Sequence, residues 1–95
     1  MQYIDGVVIQ LGDVVSVPVP GGMARARVVM LGDTYEHLDI DLAFLRWVKS
    51  DRVLANTSVV VEWLGANPLA HSNPKYAPVG NYMFTPADQY LVLEA

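Results

Sequence analysis

The chain contains no cysteine. Neither a disulfide framework nor a thiolate metal site can therefore hold it together, which removes the small secreted disulfide class and fits a reducing cytoplasm. Basic residues are equally scarce: six Lys and Arg stand against ten Asp and Glu, a net charge of −4. Nucleic-acid affinity depends on clustered cations that track phosphates, so DNA and RNA are not expected partners. No apolar run approaches the ~20 residues that cross a bilayer as a helix, and the opening Met1-Gln2-Tyr3-Ile4-Asp5 has no basic stretch. The expectation is a protein with no membrane partner and no export signal. Only two histidines occur, His37 and His71, and no Gly-x-Ser-x-Gly elbow, phosphate loop or dinucleotide fingerprint is present. No cofactor is expected from these patterns.

Apolar residues, in contrast, make up 53% of the 95 positions, with charged residues at 17%. A chain this short hides only about 60% of its unfolded surface. It therefore forms one domain over residues 1–95 with more apolar side chains than one core can absorb, and a homo-oligomer, a dimer by preference, is expected.

The pattern along the chain is mainly β. Gly6 to Leu11 and Asp13 to Val19 are rich in β-branched residues and read as strands. Gly21-Gly22 offers the positive φ of a tight reversal, after which Ala24, Ala26, Val28 and Met30 alternate with Arg25, Arg27 and Val29. This places the two arginines on the outer face of a return strand. Residues 35 to 40 read as a strand that passes into a short helix near residues 41–49, capped by Asp41 and apolar at Leu42, Leu45 and Val48. Ser58 to Leu64 is a strand with Val59, Val61 and Trp63 on one face. Asn81 to Thr85 and Gln89 to Glu94, split by Pro86-Ala87-Asp88, read as a closing hairpin. Short strands with one helical stretch predict a small antiparallel barrel or a strongly bent sheet.

The Gly12-Asp13-Val14-Val15 opening, the Gly21-Gly22 turn and the Ala24-Arg25-Ala26-Arg27-Val28-Val29 return resemble the first hairpin of SH3-like barrels. The likeness covers about a third of the chain and is a fold-level pattern. The Gly-Asp strand start is also similar to that of small bacterial toxin-immunity proteins, which would make this a bacterial immunity or mobile-element protein. No functional residue follows from either resemblance.

Three constellations carry possible chemistry. Asp33, Glu36, His37, Asp39 and Asp41 gather four carboxylates and an imidazole without a Lys or Arg. On a strand, His37, Asp39 and Asp41 share a face and would suit a divalent metal or an inter-subunit enzyme pocket. Their spacing matches no named metal motif, and the preferred reading is a solvated strand face with Asp41 as a helix cap. The long connection from Gly65 to Gly80 holds Pro68, Pro74 and Pro78, and displays His71, Lys75 and Tyr76, with Tyr82 just beyond it. Proline-stiffened, aromatic loops suit contact with a partner, so these four residues are the expected binding surface for a protein or small ligand. Arg46, Lys49 and Arg52 form a basic cluster tempered by Asp51, read first as a solvated face and second as an anion site. The leading expectation is a non-enzymatic, self-associating binding domain, and the alternative is a small oligomeric enzyme or metal protein using His37, Asp39 and Asp41.

Overall fold

A computed structural model describes residues 1–65 and 82–94. The elements are β1 (Val14–Val19), β2 (Gly22–Leu31), α1 (Leu42–Asp51), β3 (Ser58–Trp63), β4 (Tyr82–Pro86) and β5 (Val92–Leu93). All pairings are antiparallel, in the order β4-β3-β2-β1-β5. Among the described residues, the mainly β architecture with one short helix agrees with the sequence. The sheet is not closed into a barrel, because β4 and β5 lie on opposite edges.

The β1–β2 hairpin forms where expected, with Val19 paired to Gly22 across Pro20-Gly21. Proline at the first central position and Gly21 at φ 91° at the second match the demands of a type II turn. Val15, Val17, Ala26 and Val28 point to one face and are buried there, while Arg25 and Arg27 occupy the other. Arg25 pairs with Glu94 at 2.8 Å and Arg27 with Glu62 at 2.8 Å, which satisfies both cations on the outer face. Alternation then breaks at a β-bulge: Val28 faces Val61 but Met30 faces Val60, leaving Val29 as the extra residue. Val29 and Met30 consequently both pack on the helix side, where strict alternation would have separated them.

The two sheet faces bury separate apolar clusters. On one side Val59, Val61 and Trp63 of β3 join the hairpin valines, Leu91, and Tyr3 and Ile9 from the N-terminal arm. On the other, Phe44, Leu45 and Val48 of α1 press onto Val29, Met30, Val60 and Tyr82. Full burial of a side chain of this size contributes about 1.5–3 kcal/mol, so three such residues anchor α1 to the sheet. Phe44 stacks on Tyr82 with ring centroids 4.4 Å apart. The Asp41 side chain accepts from the Phe44 N–H at 2.9 Å, making it the expected N-cap.

Three local expectations are corrected. Gly6 to Leu11 is not a strand: the arm folds on itself through a Gln2–Val8 bridge, with Ile9 N–H donating to the Met1 carbonyl, and leaves Val7 and Val8 exposed. β-branched composition alone does not make this segment a strand of the sheet, and its pairing stays within the arm. Residues 35–40 make one bridge, His37 to Met30, rather than a strand, because the chain must turn from β2 into α1. β4 and β5 do not form a hairpin; β4 pairs with β3 and β5 with β1. Pro86 closes β4 and the turn falls later, with Leu91 N–H donating to the Asp88 carbonyl, so the strand expected over Gln89 to Glu94 shortens to Val92–Leu93; turn chemistry does not specify which strand receives the returning chain.

Candidate functional site

Past β2 the chain reverses sharply. Tyr35 N–H donates to the Leu31 carbonyl at 2.9 Å, and Leu31 N–H donates to the Glu36 carbonyl at 2.9 Å. Closing so tight a loop puts Tyr35 at φ 61°. A bulky residue pays a steric penalty in that left-handed region. Its hydroxyl donates to the Leu54 carbonyl at 2.8 Å, which ties the loop to the chain entering β3.

Helix α1 ends in a second left-handed residue, Arg52, at φ 51° and ψ 43°. Glycine or asparagine usually fills this position because it relieves the clash of Cβ with the backbone. Here the arginine instead lays its guanidinium over the Tyr35 ring, 4.8 Å from the centroid. The two left-handed residues thus meet as a cation–π pair.

Gly32 supplies the floor. Its N–H donates to the Ser58 carbonyl at 2.9 Å, and a Cβ at this position would overlap the carbonyl oxygens of Ala55 and Ser58. The close backbone approach requires glycine. Above it opens a cleft of about 340 Å³ lined by residues 32–35 with Arg52, Leu54 and Asn56. Asp33, on its wall, lies 3.2 Å from the amino group of Met1. Among the described residues, Arg52 forms no ion pair.

The acidic segment does not assemble. His37 Nδ1 lies 2.7 Å from the Leu38 carbonyl, an arrangement that places its proton on Nδ1. Asp41 caps α1, and Asp39 is exposed. Among the described residues, no three His, Asp or Glu side chains converge to hold a metal ion. Tyr82 is buried, its hydroxyl accepting from the Asp41 N–H at 3.0 Å. His71, Lys75 and Tyr76, with residues 66–80 of the expected binding loop, lie outside the described residues.

A second polar junction secures the N-terminal arm. The Asp13 carboxylate accepts from the Tyr3 hydroxyl at 2.7 Å and from the Gln10 N–H at 2.9 Å. Burial pushes the Tyr3 phenol well above its ordinary range, and the neighbouring Asp13 carboxylate pushes it in the same direction. This hydroxyl stays protonated and serves as a donor that fastens the arm.

Sequence reasoning had Arg52 in its basic cluster but missed its pairing with Tyr35. The two residues are seventeen positions apart, and only the left-handed backbone at each brings them together. Comparison with protein-family models, with curated proteins and with solved structures finds no match to this chain.

Proposed function

We propose that the chain is a non-enzymatic recognition domain whose ligand site is the cleft between the β2–α1 turn and the end of α1. The observation that carries this reading is the facing pair Tyr35 and Arg52, both in left-handed conformations. Strained backbone persists where surrounding structure over-determines it, and it concentrates at ligand sites. The lining is mainly polar, with Asp33, Arg52 and Asn56 beside Leu54, and suits a small polar molecule. The enzyme alternative has less support, since the Asp41 carboxylate is engaged as a helix cap and His37 is turned toward a main-chain carbonyl. A fragment screen followed by ¹H–¹⁵N spectra of the intact chain tests the reading. It predicts shifts confined to residues 32–35 and 52–56. Stoichiometric metal in protein purified without added metal, lost on His37→Ala, would instead favour the alternative.

Self-association belongs to the same proposal. Ile4, Val7 and Val8 are 72%, 47% and 55% exposed on one short arm, an apolar surface that a second copy would cover. The SH3-like reading of the fold is supported by the link from β4 to β5. Residues 87–91 must join opposite sheet edges, roughly 19 Å apart if five strands lay flat at the usual spacing. A link of that length reaches about 20 Å only when fully extended. It contains a turn, with Leu91 N–H donating to the Asp88 carbonyl, so a strongly curled sheet is the arrangement it favours.

A further inference from the structure

We infer that the cleft takes a small molecule bearing a single carboxylate, which Arg52 grips through the edge of its guanidinium. This inference rests on the recognition-domain reading and adds the ligand's chemical class. Its ground is the setting of Arg52 in the cleft. The guanidinium carbon of Arg52 sits over the Tyr35 ring, 4.8 Å from its centroid, and the Tyr35 hydroxyl is fixed on the Leu54 carbonyl, so the ring is a held platform. Arg52 is exposed, and its guanidinium presents paired N–H donors that match the two oxygens of a carboxylate. No carboxylate among the described residues pairs with them. The other two basic pairs, Arg25–Glu94 and Arg27–Glu62, show the contrast: there the protein supplies its own carboxylate.

The remaining lining sets the charge and size of the ligand. Asp33 on the wall of the same cleft is matched by the Met1 amino group at 3.2 Å, so Arg52 is the one cation of the lining without a carboxylate among the described residues, and a second negative charge on the ligand would find no partner there. That disfavours phosphate esters and dicarboxylates. The Asn56 amide offers a neutral donor and acceptor, and Leu54 offers an apolar contact for the body of the ligand. A volume of about 340 Å³ accommodates a ring or short chain rather than a polymer.

Benzoate and its neutral isostere benzamide are suitable probes, titrated separately into the intact chain while ¹H–¹⁵N spectra are recorded, with inorganic phosphate as a third arm. The expected result is saturable shifts at Thr34, Tyr35, Arg52 and Asn56 with benzoate, and affinity weaker by about tenfold or more for benzamide and for phosphate, reflecting a charge-assisted contact. Arg52→Gln should remove the preference for benzoate over benzamide. Arg52→Lys, which keeps the charge but loses the fork, should restore only part of it. Spectra that otherwise superpose on those of the parent chain establish that each variant is folded. Equal binding of benzoate and benzamide in the cleft would overturn the carboxylate inference and leave the recognition reading standing. Stronger binding of phosphate would overturn it in the same way. Absence of cleft shifts with every probe, together with a fragment screen that also leaves the cleft unperturbed, would overturn both.

Discussion

At the scale of single residues, two tryptophans of identical chemistry occupy opposite situations. Trp63 is 3% exposed among the valines beneath the sheet, whereas Trp47 is 36% exposed on the flank of α1 beside Phe44 and Phe84. Replacing a fully buried large aromatic with alanine costs about 3–5 kcal/mol, so Trp63→Ala should lower the urea midpoint well below that of Trp47→Ala. Equal midpoints would mean that the load on the two faces is misassigned. Tyr3 gives a prediction in pH. Its folded-state pKa lies above the unfolded value, so the folded chain keeps its proton longer. The associated stability is complete below about pH 10 and declines as pH rises further. Tyr3→Phe should be less stable at neutral pH through loss of the bond to Asp13. Its alkaline decline should also be shallower than that of the parent chain. Parallel declines from pH 9 to 11.5 in urea melts would contradict this account.

At the scale of elements, α1 depends on its cap. Asp41→Ala should cost about 1 kcal/mol, because the Phe44 N–H loses its acceptor, while Asp39→Ala should change stability by less than about 0.5 kcal/mol. Chemical denaturation of the two variants compares them directly. The helix, its cap, the β1–β2 hairpin and the apolar face of β3 were legible because each is written in local periodicity and capping chemistry. The bulge at Val29 was not, since its cause is the register of β3, thirty positions away. The partners of β4 and β5 were hidden for the same reason: alternation marks a strand but does not name its neighbour. Of the site, the sequence offered Arg52 as one member of a basic cluster. Its counterpart Tyr35 carries no local signal, because its left-handed backbone is imposed by the turn that closes between Leu31 and Glu36.

At the scale of the whole molecule, each face of the sheet buries an apolar cluster, and apolar side chains remain outside on the N-terminal arm. Light scattering across micromolar concentrations should therefore show a mass above that of one chain, and Val8→Asp should reduce it toward the monomer. A monomer mass that persists as concentration rises would set self-association aside. The central claim is that Arg52 is held in a left-handed conformation for recognition and not for stability. Glycine is the residue that such a helix end accommodates without strain. Relief of that strain should offset the lost contact with Tyr35, a cation–π pair worth about 0.5–1 kcal/mol at an exposed site. The most direct measurement is a pair of thermal melts without ligand, comparing Arg52→Gly with the parent chain. The account predicts a Tm that is unchanged or raised by up to about 5 °C, the shift expected for roughly 1 kcal/mol in a domain of this size. A fall of more than about 5 °C would assign Arg52 to holding the fold together and contradict its role as a ligand-binding residue kept at a conformational cost.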